Sequence, residues 1–272
     1  MTSEPEKFRA FEQAGWENVS QRYHQAWGSL TNQTIEPLLD AVGAESGIKL
    51  LDIASGPGYV AAAAAKRGAT VIGVDFSAAM IAEAQRQFPG VEFREGDAEN
   101  LPFPNGSFDA AVMNFGMLHL ARPEQALLEA CRVLRSGGRF GFTVWAKPEE
   151  TIGFAIVLSV IQQYGNLNVQ LPEGPPFFRF SDLEECGRSL RAAGFESPKV
   201  TKVAQVWRLP AGDGLFEAMK ESTVRTAGLL RAQNPEALIR IRDTIRKETE
   251  RHQTGEVIEL PMPAILASGI KA

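Results

Sequence analysis

Two acidic side chains and a glycine turn lie close together in the sequence, in a pattern that suits a nucleoside. Asp52 stands near the end of the apolar run 49–53, shortly before a turn that holds Gly56 and Gly58. Asp75 ends the next apolar run, 19 residues after Gly56. Glycine lets the backbone approach a ligand closely, and an acid at the end of the second strand accepts hydrogen bonds from a ribose diol. The spacing therefore predicts a nucleoside-binding strand–turn–helix–strand unit.

The turn distinguishes two classes of nucleotide ligand. A dinucleotide site with the pattern G-x-G-x-x-G places a phosphate at the N-terminus of the following helix. Here Ala54 occupies the first glycine position, and the carboxylate of Asp52 precedes the turn. A carboxylate at this place repels a pyrophosphate and suits a cationic amino-acid sulfonium such as S-adenosylmethionine. The residues therefore favour S-adenosylmethionine over a nicotinamide dinucleotide.

Strands and helices alternate around this unit and predict its scaffold. We expect strands over 49–53, 70–75, 91–96, 108–114 and 138–145, with helices over 58–67, 77–87 and 123–134. Such alternation is typical of a parallel sheet with helices on both faces. Apolar spacing predicts further helices over 5–42, and the remainder reads as a helix over 152–164, a strand over 199–207, a helical block over 211–252 and a last run over 257–270. Because proline is unfavourable inside a strand, we expect that last strand to begin near Pro263.

Several segments resemble motifs of the class I S-adenosylmethionine-dependent methyltransferases. The matching segments are 51–58, 74–80, 96–103 with 107–109, and 132–139. They cover about residues 48–146 in the right order. The pairs Asp97-Ala98 and Leu118-His119 are most similar to the broad group that includes the ubiquinone and menaquinone C-methyltransferases. Ala54 departs from the family pattern, which usually has glycine or cysteine at this position.

The resemblance implies a doubly wound α/β fold with a mostly parallel seven-stranded sheet, in the order 3-2-1-4-5-7-6 with the last strand antiparallel. It implies S-adenosyl-L-methionine as the cofactor, S-adenosyl-L-homocysteine as the product, and in-line transfer of the methyl group. The aromatic residues of 177–180 and the acidic pI predict a small, partly apolar organic acceptor. We expect an N-terminal helical cap over 1–47, a cofactor-binding core over 48–146, and a remainder over 147–272 whose helical insertions form the acceptor pocket or lid.

The candidate cofactor-binding residues follow from the motifs and the resemblance. They are Tyr23, Asp52, Ala54, Gly56, Gly58, Asp75, Phe76, Met80, Asp97, Ala98 and Asn114. By resemblance, Asp97 reaches the adenine amino group and Ala98 backs the ring, while Asn114 contributes its backbone at the end of strand four. Tyr23 either closes over the cofactor or packs in the core.

His119 is the candidate catalytic residue, because it follows strand four and can take a proton from an enol, a phenol or an activated carbon. A structural hydrogen bond in a turn is the competing interpretation. The aromatic residues of 177–180, with Trp207 and Phe216, either pack the core or surround an apolar acceptor. In the second interpretation, Arg179 or Arg225 would bind an anion.

The composition of the chain limits the classes of partner and the cellular location that we expect. A net charge of −5 and a pI near 5.4 argue against nucleic acid. No apolar run reaches the roughly 18 residues of a membrane span, and the polar start does not resemble a signal peptide. Cys131 and Cys186 are far apart and form no metal-ligand pattern. These features predict a cytoplasmic protein that acts on a small molecule without a metal, and a homodimer is compatible with them.

Two other functions use similar motifs. A nucleotide-binding oxidoreductase on the same sheet would need a third glycine and an apolar residue in place of Asp52, and the sequence has neither. A non-catalytic regulator that binds S-adenosylmethionine would keep the cofactor motifs and fill the acceptor cavity. The sequence leaves this second alternative open.

Overall fold

A seven-stranded sheet forms the centre of the protein, whose computed structural model describes residues 3–272 apart from the side chain of Gln21. The first two residues of the predicted cap lie outside this range. The strands are β1 (Lys49–Ile53), β2 (Thr70–Asp75), β3 (Glu92–Glu95), β4 (Phe108–Asn114), β5 (Leu134–Trp145), β6 (Phe195–Val203) and, last in the chain, β10 (Ala264–Lys271). Their order is β3-β2-β1-β4-β5-β10-β6, and β10 runs antiparallel to β5 and β6. The predicted fold and strand order are therefore confirmed.

Helices cover both faces of this sheet. They are α1 (Glu4–Thr31), α2 (Ile35–Ala41), α3 (Tyr59–Lys66), α4 (Ala78–Gln87), α5 (Pro123–Val133), α6 (Ile152–Tyr164), α7 (Leu183–Ala192), α8 (Gly214–Glu221), α9 (Arg225–Arg231) and α10 (Pro235–Thr249). Because both faces are covered, the central strand β1 is apolar apart from Lys49 and Asp52, and its residues Leu50, Leu51 and Ile53 are fully buried. Within the described residues, no helix is both long enough and apolar enough to cross a lipid bilayer.

A second, three-stranded sheet was not expected from the sequence. It consists of β7 (Val206–Pro210), β8 (Gln253–Thr254) and β9 (Val257–Pro261), in the order β7-β9-β8. The predicted strand over 199–207 is therefore wrong as a single element, because the chain leaves the main sheet after Val203 and enters the small sheet at Val206. The buried side chain of Gln205 marks this crossing, and its amide donates to the carbonyl of Leu30 at 2.7 Å.

The run over 257–270 is divided in the same way. Val257–Pro261 pairs with β7, and only Ala264–Lys271 enters the main sheet. The break includes Pro263, which has no N–H to donate to a neighbouring strand. The expectation that the strand of the main sheet begins near Pro263 is confirmed.

The long helix α1 lies along the edge of the sheet where β1, β2 and β4 end. The amide of Gln13 donates to the carbonyl of Phe76 at 3.0 Å, just after β2. The carboxylate of Glu17 accepts from the N–H groups of Ala78 and Ala79, at 2.7 and 3.0 Å. Glu17 thereby supplies acceptors for orphan donors at the start of α4. These contacts fix one face of α1 over the carboxyl ends of the strands.

Candidate functional site

A cleft of about 880 Å³, partly open to solvent, lies at the carboxyl ends of β1, β2 and β4. We call it the main cleft. Its position is where open α/β sheets bind ligands. Of the predicted site residues, it is lined by Tyr23, Asp52, Ala54, Gly56, Asp75, Phe76, Met80, Asp97, Ala98, Asn114 and His119.

The turn between β1 and α3 places Gly56 and Gly58 in different surroundings. Their φ angles are +50° and +86°, and Ala54 also has a positive φ, of +54°. A Cβ on Gly56 would meet nothing within 4 Å, whereas one on Gly58 would lie 2.5 Å from the ring of Phe93. Gly56 therefore presents bare backbone to the main cleft. Gly58 lies outside the lining, and its small size serves the packing of α3 against β3.

Asp52 is almost fully buried at the main cleft. Its Oδ2 atom accepts from the N–H of Ala61 at 2.9 Å, and its Oδ1 atom has no partner among the described residues. Burial raises the pKa of Asp52 to about 8, although the Ala61 hydrogen bond opposes this shift and the nearby Asp75 adds to it. A cationic group that entered the cleft would stabilise the charged form of this acid.

Asp75 connects the turn to α4. Its Oδ2 atom accepts from the N–H of Gly56 at 2.8 Å, and its Oδ1 atom accepts from the N–H of Ser77 at 2.9 Å. Burial raises the pKa of Asp75 to about 6, and the two backbone hydrogen bonds act in the opposite direction. Each carboxylate oxygen has a second lone pair. The acid that fixes the turn therefore keeps capacity for hydroxyl donors from a ligand.

The other two polar candidates are engaged with the N-terminal part of the chain. Asp97 accepts from the N–H of Glu99 at 2.9 Å and forms an ion pair with Arg9 of α1. The amide of Asn114 donates to the carbonyl of Thr31 at 3.1 Å and accepts from two threonine hydroxyls. Since the side chain of Asn114 is occupied in this way, its backbone is the part that remains for a ligand.

Sequence reasoning missed two polar residues at the main cleft. The side-chain oxygens of Ser55 and Tyr59, like Oδ1 of Asp52, are buried without a hydrogen-bond partner in the described structure. Because buried polar atoms are almost always paired, such a group of three fits a polar ligand. Both missed residues flank the turn glycines, and this proximity is the signal that identifies them. The site therefore fits the amino-acid and ribose groups of S-adenosylmethionine.

A buried carboxylate positions His119. The Nδ1 atom of His119 lies 3.0 Å from Oε2 of Glu12, and the indole N–H of Trp16 donates to the same oxygen at 3.1 Å. Glu12 is completely buried, and the ring of Trp16 lies edge-on to the imidazole with centroids 4.8 Å apart. A carboxylate on Nδ1 orients the ring and leaves Nε2 as the basic nitrogen. Glu12 was missed, although an acid four residues before Trp16 must share its helix face.

A second cavity, of about 400 Å³, adjoins the main cleft and shares four lining residues with it: Trp16, Tyr23, Phe115 and His119. We call it the aromatic chamber. Its further aromatic walls are Trp27, Trp145, Phe154 and Phe177, and residues 222–226 complete the lining. Of the candidate anion-binding arginines, only Arg225 lines it. Arg179 lies outside and pairs with Glu124 and Glu185, at 2.5 and 2.6 Å.

The predicted aromatic set divides between the core and the aromatic chamber. Phe180, Trp207 and Phe216 are buried in the core, whereas Phe177 lines the chamber. Tyr23 stands at the junction, with its ring edge-on to Trp16 at a centroid distance of 5.3 Å. Burial raises the pKa of Tyr23 to about 12, so its hydroxyl stays neutral near pH 7. In the described residues, no group of three His, Cys, Asp or Glu side chains could hold a metal ion.

The sequence matches known methyltransferases. A family model described as a methyltransferase domain matches residues 51–142. The demethylmenaquinone methyltransferase of Clavibacter sepedonicus is 32% identical over 191 residues, which are 64% of this chain and 73% of that protein. The demethylmenaquinone methyltransferase of Beutenbergia cavernae is 42% identical over 121 residues, 43% of this chain, so the match spans half (50%) of that relative's length.

The fold of the chain is similar to that of a solved methyltransferase. The structure of phosphoethanolamine N-methyltransferase 2 from Haemonchus contortus, solved with phosphomonomethylethanolamine and S-adenosylhomocysteine, has a TM-score of 0.59 to this chain at 19% identity. The match covers 100% of this chain and 61% of that one. This likeness concerns the fold, while the Clavibacter relative carries the family assignment. The chain belongs to the class I S-adenosylmethionine-dependent methyltransferases, in the broad group that includes the ubiquinone and menaquinone biosynthesis C-methyltransferases.

Proposed function

We propose that the protein methylates a small, partly apolar organic acceptor that binds in the aromatic chamber. The observation that carries this proposal is the junction between the two cavities at Trp16, Tyr23, Phe115 and His119. The junction would bring an acceptor in the aromatic chamber next to a cofactor in the main cleft. Aromatic walls with few polar groups suit an acceptor with substantial apolar surface.

The main cleft would hold the cofactor through its separate chemical groups. Asp75 would accept from the ribose hydroxyls, Asp52 would face the cationic amino-acid part, and Met80 and Ala98 would pack against the adenine. When bound, S-adenosylmethionine supplies a methyl group that is already activated by the positive sulfur. The remaining task of the chain is to orient the acceptor and to exclude water, and orientation contributes about 7–11 kcal/mol in favourable systems.

All three predicted parts of the chain contribute residues to the acceptor site. We retain the division into these parts as a proposal. Residues 1–47 contribute Trp16 and Tyr23, and residues 147–272 contribute Phe154 and Phe177. The core over 48–146 contributes His119 at the junction. If the accepting atom must lose a proton, Nε2 of His119 would take it, and the carboxylate of Glu12 would stabilise the resulting imidazolium.

Three further observations support this function over the alternatives. The relatives are named for demethylmenaquinone, and a quinone-like acceptor would suit aromatic walls. A cavity with aromatic walls remains beside the main cleft, whereas a non-catalytic regulator would have this cavity filled. Ala54 at the first glycine position and the buried acid Asp52 both depart from the sequence pattern of a dinucleotide-binding oxidoreductase.

Methyl transfer from labelled S-adenosylmethionine to aromatic, isoprenoid and keto-acid acceptors tests the proposal. We expect transfer to at least one of these classes, and loss of transfer when Thr226→Phe narrows the aromatic chamber. Affinity for S-adenosylhomocysteine should stay within about twofold in this variant. The matched control is Thr201→Phe on the exposed face of β6, which should leave transfer unchanged. Transfer to RNA or to a protein, with none to a small molecule, would contradict the proposal.

A further inference from the structure

The aromatic chamber contains a cation whose role the proposed function leaves open. Arg225 begins α9 and lines the chamber. Its guanidinium lies over the rings of Phe8 and Phe177, with the central carbon 5.2 and 5.5 Å from their centroids. Its Nη1 atom donates to the carbonyl of Pro175 at 3.0 Å. The group is therefore held in place by two aromatic faces and one neutral acceptor.

The charge of Arg225 has no direct counter-ion. Within residues 3–272, no carboxylate oxygen comes within 4.0 Å of its guanidinium, whereas Arg179 has two such partners. Glu12 acts on Arg225 through space, and its Oε2 atom already binds His119 and Trp16. Burial lowers the pKa of Arg225 because the charge is poorly solvated. A desolvated cation without a partner is costly unless it serves a ligand.

We propose that Arg225 binds an anionic group of the methyl acceptor, and that the acceptor is a planar aromatic acid. This inference rests on the proposed function and names its substrate class. A guanidinium has five N–H donors in one plane, and a single one is used by Pro175. The others can bind a carboxylate in the two-point geometry that arginine favours. The aromatic side chains of Trp27, Trp145 and Phe154, which line the chamber, would contact the aromatic ring of the acceptor.

In this arrangement, the charged groups at the junction and in the aromatic chamber form two separate pairs. Glu12 balances a proton carried by His119, and Arg225 balances the carboxylate of the acceptor. Because His119 lies at the junction and Arg225 lines only the aromatic chamber, the acid end of the acceptor points away from the main cleft. The atom to be methylated then lies on the side of His119.

Calorimetric titration with matched acids and amides tests the inference. The probes are 4-hydroxybenzoate against 4-hydroxybenzamide and salicylate against salicylamide, added to protein saturated with S-adenosylhomocysteine. We expect at least one acid to bind about 10-fold or more tightly than its amide, a difference of about 1.4 kcal/mol. Arg225→Gln should remove this preference, and Arg225→Lys should keep only part of it. Arg179→Gln, the matched control outside the chamber, should leave it intact.

The outcomes separate this inference from the proposed function. If S-adenosylhomocysteine binds but no acid binds more tightly than its amide, or if Arg225→Gln keeps the preference, Arg225 is not an anion site and the function stands. If S-adenosylhomocysteine does not bind to the wild type, the function fails, and the same acid–amide comparison on the free protein still decides the role of Arg225. If Arg225→Gln does not fold, the preference for acid over amide is compared between the wild type and Arg225→Lys. A smaller preference in Arg225→Lys supports the anion site, and an unchanged preference contradicts it.

Discussion

The imidazole of His119 lies 3.0 Å from the carboxylate of Glu12, although 107 positions separate the two residues in the chain. The contact joins α1 to the loop after β4, at the junction of the main cleft and the aromatic chamber. A buried carboxylate at Nδ1 fixes the tautomer and the orientation of the ring and leaves Nε2 free. The N-terminal helix is therefore part of the site that we propose, in addition to its role in packing.

Replacing His119 separates a catalytic from a structural role. If Nε2 takes a proton from the acceptor, His119→Ala should lower turnover by about 10²-fold or more and leave affinity for S-adenosylhomocysteine within about twofold. His252 lines neither cavity, so His252→Ala is the control and should be neutral. A lower melting temperature with unchanged turnover of the folded fraction would instead assign His119 a structural hydrogen bond.

Glu12→Gln tests the pairing itself. The variant keeps the size of the side chain and an acceptor for the indole of Trp16 but removes the charge that stabilises a protonated His119. We expect turnover to fall by about 10-fold with little change in the KM of the acceptor. The double variant Glu12→Gln/His119→Ala should be no slower than His119→Ala alone, because the two residues act as a unit. Additive losses in kinetic assays would show that they act separately.

The raised pKa of Asp52 predicts that the free protein loses stability as pH increases. Its folded-state pKa of about 8 lies above the ordinary value of 3.8, so the folded state holds a proton that the unfolded state releases. This contribution is complete below about pH 4 and is lost as pH rises to about 8. Asp52→Asn should remove the part of this pH dependence that lies above about pH 6, because Asp75, with its pKa of about 6, contributes only below it. The same change should raise the unfolding free energy near pH 8 by about 0.5–2 kcal/mol.

Denaturation without ligand between pH 5 and 9 measures this effect. Asp243→Asn serves as the control, because that side chain is exposed and should change neither the stability nor its pH dependence. A wild type whose stability rises between pH 5 and 8, with no difference in Asp52→Asn, would show that Asp52 is ionised in the free protein.

Cofactor binding should release a proton for the same reason. The ammonium group of S-adenosylhomocysteine would stabilise the charged form of Asp52 and lower its pKa from about 8. Affinity should therefore increase as pH rises from 6 to 8. Titration calorimetry in two buffers of different ionisation enthalpy counts the released protons. Asp52→Asn should bind more weakly and release fewer protons, whereas proton uptake by the wild type would exclude this role.

The cofactor side of the site could be predicted from the sequence because it is local. Asp52, Gly56 and Asp75 belong to one strand–turn–helix–strand unit, so spacing along the chain fixes their place in space. Gly58 shows the limit of this reasoning. Two glycines of one turn look alike in the sequence, yet only Gly56 faces the main cleft, because the ring of Phe93 fills the space beside Gly58.

The acceptor side depends on packing between distant segments. Glu12 and Arg225 reach the junction and the chamber because α1 lies over the carboxyl ends of the strands and α9 packs against α8. Helical periodicity does not encode where a helix packs. The small sheet was missed for a related reason. Alternation continues from β6 into β7 and from β9 into β10, so the pattern does not show that the chain changes sheets at Gln205 and at Pro263.

The most direct test of the central claim is calorimetric titration of the protein with S-adenosylhomocysteine and, separately, with NAD. We expect a micromolar dissociation constant for S-adenosylhomocysteine and no binding of NAD. Asp75→Ala should weaken the first ligand by about 1.5–3 kcal/mol, the range for lost hydrogen bonds to a charged group. Tight binding of NAD with no response to S-adenosylhomocysteine would contradict the account.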